Sequence, residues 1–587
     1  MKRRIVAAMS SVSSMLVYFI ASWTPAQACS SNVDAGASGP TAQASLEYTL
    51  KIQSPASQEV RVSVRLTGLE PKQEPVSWNM QQRFAFIRLP EPLLEGPVRA
   101  TAGTQPIDCE HRSPFNWSVP SAGARTMRLD YVVPLTHRTI EAVKERDAYE
   151  YPYVTDDHGF LVSPTLFLFP ENVTVGEMRV RFILPDGWQI VAPWRRLGEH
   201  EFDPGEPDSL LNDLIAIGAW HIHPLRIGHF EGTIAFAPGQ EALERTAVDM
   251  IRRIVEYELE LFGGQVENRY AFLFARPDGK GLAGSPKKHS VTLCVEPRLV
   301  PAAGTHLGHL IAHEFYHTWA SALFAMPDEL RWLNEGITDY YAYLVPARLG
   351  LNTWEQFART LGDKMQQCAA NPLRGKRSLA DAGGEEFFNE TNAYNLVYDG
   401  GLLTGAWLDM AIRRGEGGKT LDDLMRALVN DPRWLTDGTA PTLEDFLATA
   451  GRFADPATCA TLRRLVTQPY DLDPVKAFGG VGITIRREVG PPEMDLMANL
   501  DGTHVIDLSR SGLAFRLGVR PGDRFVEVNG QAVSTPDEVH KAWRRPAERR
   551  IQATLDRLGK TIEIDEPVPL IERFTVPSEP WRLAADR

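Results

Sequence analysis

His313 and His317 stand four residues apart, with Glu314 beside the first, in the run HLIAHEFYHTWASALFAMPDELRWLNEGITDYY. On an α-helix, residues four apart lie one above the other, so the two imidazoles project to a common point. A third donor, Glu335, follows with seventeen residues between it and His317. Two imidazoles and one carboxylate, with a position left for water, form the ligand set of a catalytic zinc site and not of a structural one. Glu314 then lies where a carboxylate can take a proton from a water. The pentapeptide alone would fit equally well an amphipathic helix whose half-buried histidines meet ordinary hydrogen bonds. The downstream residues separate these two readings.

Two elements must hold these groups. The first helix is predicted to start at Thr305, a plausible N-cap, and to run to about Ala325, before the break at Met326-Pro327-Asp328. A second helix carries Asn334-Glu335-Gly336-Ile337-Thr338-Asp339 and places Asp339 one turn beyond Glu335. A carboxylate there can accept the outer N–H of a ligand histidine and fix its tautomer. His306 and His309 share the first helix. Three ligands already complete the set, so His309 is read as a wall or supporting residue and not as a ligand.

The matching text, HEFYHTW, then WLNEGITDYY, then YNLVYDGGLLTGAWLDMAIRR, resembles the gluzincin metallopeptidases. Within them it is most similar to the glycyl aminopeptidase family, which joins a thermolysin-like catalytic domain to a PDZ domain. The resemblance covers roughly residues 230 to 570. It implies one Zn2+ per chain, a peptide or protein substrate, and Glu314 as general base. It also implies Tyr398 as a donor to the developing oxyanion, worth roughly 3 kcal/mol of barrier. The family pattern has lysine where Gly400 stands. The strand Ser290 to Val295 is expected as the edge along which substrate pairs. In the preceding loop, Gly281-Leu282-Ala283-Gly284-Ser285, Ala283 stands where an amine-binding glutamate would align. Pro286-Lys287-Lys288 follows, and Glu296 beyond the strand is the other carboxylate within reach of that role. Exopeptidase and endopeptidase activity both stay open.

At 587 residues the chain is too long for one core. Its formal charge is −13, with no basic block, which argues against nucleic acid or an anionic membrane surface as partner. Residues 1–28 read as an export signal: Lys2-Arg3-Arg4, an apolar stretch from Ile5 to Ile20, and Ala26-Gln27-Ala28 as cleavage site. This predicts a periplasmic protein with no transmembrane span in the mature chain. Lipid attachment at Cys29 is the other reading, to which Gln27 is a poor match. Five cysteines at long spacing do not make a disulfide scaffold, and Cys368 with Cys459 is the pair to test.

The fold class expected is multidomain α+β. Alternation such as Val60, Val62, Val64, Leu66 and Met127, Leu129, Tyr131, Val133 predicts a β-rich, sandwich-like domain over 46–235. Its His221 and His223 alternate on a strand and are read as structural. The catalytic domain is expected over 236–474, opening with an amphipathic helix from Gln240 to Phe262. A PDZ domain is expected over 475–567, with a tail over 568–587. In the PDZ part, Val481, Gly482 and Ile483 lie in a loop whose backbone N–H groups could face a carboxylate. Pro521-Gly522-Asp523 and Asn529-Gly530 read as turns. The function expected is zinc-dependent peptide hydrolysis. The alternatives are a peptide-binding scaffold that keeps the fold, or hydrolysis of a non-peptide bond by the same site.

Overall fold

The computed structural model describes residues 43–585 except 71–73, 82, 85–86, 89–91, 93, 136–151, 264–268, 276–281, 296–303, 321–326, 389, 416, 438–439, 491–495, 497, 509–512, 545–548 and 569. The export signal, Cys29 and Glu296 lie outside the described residues. The architecture is multidomain α+β, and contacts divide the chain into two units. Among the described residues, one comprises those up to Val300 with Glu314–Ala325; the other comprises Pro301–His313 with those from Met326 onward.

The first unit begins with β structure, for the reason the alternation gives. In strands Ala44–Lys51, Glu59–Thr67, Thr126–Pro134 and Val175–Ile183, every second residue points to one buried face. Leu46, Val64, Leu66, Met127, Leu129 and Val180 are sealed from solvent there. These strands form the middle of an eight-stranded sheet, with Ala44–Lys51 parallel to Val175–Ile183 and antiparallel to Glu59–Thr67. Two buried tyrosines close the core without orphaning their hydroxyls, because Tyr48 donates to Leu168 O and Tyr131 to Leu166 O, each at 2.7 Å.

A separate five-stranded sheet follows in the order His221–Ile227, Phe230–Phe236, Arg269–Phe274, Ser290–Val295, Leu282–Pro286. Its first two strands begin at His221 and Phe230, so this sheet starts before the boundary expected from the sequence. Strands continue through residue 236, and periodicity carries no mark of which sheet a strand joins. His221 and His223 both meet Glu244 on helix Glu241–Phe262, at 3.1 and 2.5 Å, which is a structural role. The expected edge strand is corrected. Ser290–Val295 is buried along its length and paired on both sides, while Leu282–Pro286 is the edge.

The second unit is mainly helical to residue 480. Helix Trp354–Ala370 starts in a capping box made by Thr353 and Gln356, and helix Leu421–Val429 in one made by Thr420 and Asp423. Cys368 and Cys459, the pair to test, are both free in this structure. Residues 496–568 build their own core around Phe525, Val528, Trp543, Ile551 and Leu555. Strands Arg524–Val528, Arg550–Arg557 and Lys560–Pro567 lie side by side within it. The turn signals have their structural counterparts: Gly522 has φ 90, and Asn529 and Gly530 have φ 49 and 75.

Val481, Gly482 and Ile483 do not form an anion-binding loop. Their N–H groups cap helix Pro474–Gly480 by donating to Phe478 O, Gly479 O and Phe478 O, and Ile483 is buried. The helix end needs those donors for its own carbonyls. Nor do the last residues trail as a tail. Strand Ile571–Thr575 pairs with Arg486–Gly490 and passes over Gly362 of helix Trp354–Ala370, where a Cβ would meet Phe574 O. Helix Glu579–Ala585 then buries Trp581. Among the described residues, no helix is long and apolar enough to cross a membrane.

Candidate metal centre

Helix Gly304–Ala320 carries His309, His313, Glu314 and His317. Its Phe315 is fully buried against Phe230, Tyr270 and Phe272, with ring centroids 5.5 to 5.8 Å apart. Apolar packing on that side fixes the rotation of the helix, and thus where its histidines point. His313 and His317 come together with Glu335, all three buried, with donor atoms within 4.8 Å of one another. His313 Nε2 lies 3.6 Å from Glu335 Oε2. A buried carboxylate facing two imidazoles at this spacing has the charge and donor chemistry of a divalent cation site, so the residues present fit zinc.

Glu335 and Tyr398 sit on unusual backbone. Trp332–Ile337 and Leu396–Gly400 are both π-helical turns, a form that recurs where a helix must re-aim a side chain. A glycine pair brings the two turns into contact. A Cβ on Gly401 would lie 2.5 Å from Trp332 O and 2.8 Å from Gly336 Cα, so only glycine permits the approach. The result is a 2.7 Å hydrogen bond donated by Tyr398 OH to Glu335 Oε2. Asn334 Nδ2 donates to the other oxygen, Oε1, at 3.0 Å. Burial, then the negative charge of Glu335, push the Tyr398 hydroxyl well above its usual range, so the phenol keeps its proton. At Gly400 a Cβ would fall 2.7 Å from Leu379 Cδ2, so a larger side chain there would require that leucine to shift.

Glu314 is buried, and its carboxylate lies against the edge strand. A Cβ on Gly284 would come within 2.5 Å of Glu314 Oε1. Ala283, one residue earlier, pairs with Cys294 within the strand. Lys288 is ion-paired with Glu206, so its charge is already balanced.

Asp339 faces His313 Nδ1, but at 3.6 Å, beyond hydrogen-bond length. Its short bond is with His309 Nε2, at 2.6 Å, and His309 stacks on Tyr343 at 4.0 Å. The support expected for the histidine ligand is thus shared between two rings. Burial alone would raise the Asp339 carboxyl, but His309 and Lys364 outweigh it and hold the group well below the carboxylate range. Burial lowers His309, and Asp339 offsets this only in part, so the ring is neutral and donates.

Sequence reasoning missed Lys364 and Asp399, which form an ion pair at 2.8 Å. A signal was there. Phe357, Leu361 and Cys368 mark the buried stripe of helix Trp354–Ala370, and Lys364 falls on that stripe where the period calls for an apolar residue. A second buried set, Ser209, His289 and Asp213, has the residue types of an acyl-transfer triad. Ser209 Oγ and Asp213 Oδ2 both meet the same ring nitrogen, Nδ1, at 2.7 and 3.3 Å, and a triad needs both nitrogens.

Comparison with known proteins agrees with this geometry. The family model of the M61 glycyl aminopeptidase matches residues 306–404, and that of the peptidase M61 N-terminal domain matches residues 96–218. No curated protein sequence matches the chain. Among solved structures, an aminopeptidase N family protein from Idiomarina loihiensis is similar, with 14% identity and a TM-score of 0.74. The match covers 92% of this chain and 100% of that one, so the two share a fold. An M1 zinc metallopeptidase from Deinococcus radiodurans also matches, at 14% identity and a TM-score of 0.46, over 73% of this chain and 97% of that one. The matched segment 306–404 takes in both π turns and most of the histidine helix, so the chain is similar to the M61 glycyl aminopeptidase family over its site, and with the buried donor set it is a zinc metallopeptidase.

Proposed function

We propose that the protein hydrolyses peptide bonds in extended substrates laid along strand Leu282–Pro286, and that it does so without requiring a free α-amino group. The observation that carries this is the contact between Glu314 and Gly284, which sets a buried carboxylate directly against the edge strand. An extended peptide adds to such an edge by main-chain pairing. Zinc held by His313, His317 and Glu335 would polarise the scissile carbonyl and make a water more acidic. Glu314 takes the proton of the attacking water and passes it to the leaving amine, a role worth about 10²- to 10⁴-fold in rate. Tyr398 keeps its proton and donates a hydrogen bond to Glu335 here; turned from that carboxylate toward the substrate, the same hydroxyl would donate to the oxygen that gains charge.

An aminopeptidase must bind an ammonium group, and away from water that cation needs a carboxylate to offset its desolvation. Ala283 supplies none. Residues 1–28 would direct the protein to the periplasm, with lipid attachment at Cys29 as the other outcome of export. We assign residues 496–568 to a PDZ-like module for a peptide C-terminus or an internal segment of the chain.

The test compares free and N-acetylated versions of one peptide, with cleavage positions read by mass and Glu314→Gln as control. Acetylation should slow cleavage little, and Glu314→Gln should lose activity while keeping zinc. A loss beyond about tenfold on acetylation, or ~1.4 kcal/mol, would restore the amine-dependent reading. Activity unchanged in Glu314→Gln would move the chemistry elsewhere.

A further inference from the structure

The proposed zinc ligands and the proposed oxyanion donor come from different stretches of chain, and one side chain meets the supports of both. Lys364 Nζ lies 2.8 Å from Asp399 Oδ1 and 3.7 Å from Asp339 Oδ2. Asp399 directly follows Tyr398 on the π turn Leu396–Gly400, and Asp339 faces His313 Nδ1. The side chains are 18% exposed for Lys364 and 5% for each aspartate, so these charges interact with little help from water. Burial would strip the proton from Lys364, but Asp399, Tyr343 and Asp339 hold it on.

The same region gathers His309, His313 and Asp339 closely enough to hold an ion. A second metal is not needed to account for it. His309 already bonds Asp339 at 2.6 Å, and the Lys364 ammonium supplies positive charge on the carboxylate's other oxygen.

We propose that Lys364 is a positioning residue: by bridging Asp339 and Asp399 it ties the orientation of His313 to the placement of Tyr398. This rests on the ligand and donor roles assigned above. With the ammonium gone, Asp339 loses the charge that holds its carboxylate toward His313. Asp399 loses the anchor that fixes the π turn, and Tyr398 shifts with it. Outer partners of metal ligands commonly contribute about 10- to 100-fold in metal affinity or activity.

The experiment measures zinc release to a chelator, kcat and KM on one peptide, and thermal unfolding. It uses the full chain as wild type, Lys364→Met, Asp399→Asn and the double variant. Lys364→Met should release zinc about tenfold faster and lower kcat by about 10- to 100-fold, with KM within about twofold. Asp399→Asn touches only the Tyr398 side, so it should lower kcat while releasing zinc at the wild-type rate. The double variant removes one positive and one negative charge together, which leaves the local charge unchanged and keeps the idea testable if Lys364→Met alone does not fold. It should show both the faster release and the lower kcat. Wild-type zinc release and kcat in a folded Lys364→Met or double variant, with only the unfolding temperature lowered, would reduce Lys364 to a structural residue. Failure of the underlying reading looks different: wild type would then hold no zinc, or Glu314→Gln would stay active.

Discussion

At the scale of single residues, the proposed zinc site rests on three buried donors, His313, His317 and Glu335. Removing one imidazole or the carboxylate leaves two ligands, too few to hold zinc against water. Wild-type protein should therefore carry close to one zinc per chain, and His317→Ala and Glu335→Ala should each lose it, as read by metal analysis after dialysis. Full zinc in both variants would remove these residues from the ligand set. This part of the site was legible in the sequence because helical spacing alone brings His313 and His317 together. The partner of Asp339 was not legible. Its spacing from Glu335 predicts a carboxylate near the ligands, but whether the short bond goes to His313 or to His309 depends on ring orientation, which Tyr343 sets by stacking. Lys364 was equally hidden, although a lysine within an apolar stripe was a visible anomaly.

At the scale of elements, the two π turns and the glycines between them decide whether Tyr398 reaches Glu335. Gly401→Ala would put a methyl 2.5 Å from Trp332 O and 2.8 Å from Gly336 Cα, which are backbone atoms that cannot rotate away. The turns must separate, at about 1–3 kcal/mol of stability. The 2.7 Å bond from Tyr398 should lengthen, and kcat should fall more than KM changes. Steady-state kinetics on Gly401→Ala, beside its thermal unfolding, check this; wild-type kcat and stability together would mean the turns can part without consequence. From the sequence, Gly400 and Gly401 both lie within the run YNLVYDGGLLTGAWLDMAIRR, but a π turn has no periodicity of its own to read. The edge strand was misplaced for a related reason. Ser290–Val295 and Leu282–Pro286 are both short, and the more apolar run drew the assignment, whereas an apolar run buried on both sides belongs inside a sheet.

At the scale of the whole molecule, the last residues of the chain return to cover the helical unit. Trp581 is 1% exposed, with its ring 5.4 Å from Phe357, 6.3 Å from Phe478 and 6.5 Å from Tyr340. Arg413 adds a 2.7 Å hydrogen bond to Ala584 O. From the sequence these residues look like a tail, because a five-residue strand and a seven-residue helix are too short to show a period. What they contribute is burial. Replacing a buried tryptophan by alanine removes its transfer free energy and leaves a cavity, about 3–5 kcal/mol together. Trp581→Ala should therefore lower the unfolding temperature of the helical unit by roughly 10 °C. Tyr340 adjoins Asp339 on helix Thr338–Arg348, so zinc should be released as that unit melts and not before. Scanning calorimetry with zinc release followed in parallel makes the comparison. An unfolding temperature unchanged in Trp581→Ala would return the segment to the status of a tail, and zinc lost well below the transition would mean that the contact acts on the site directly.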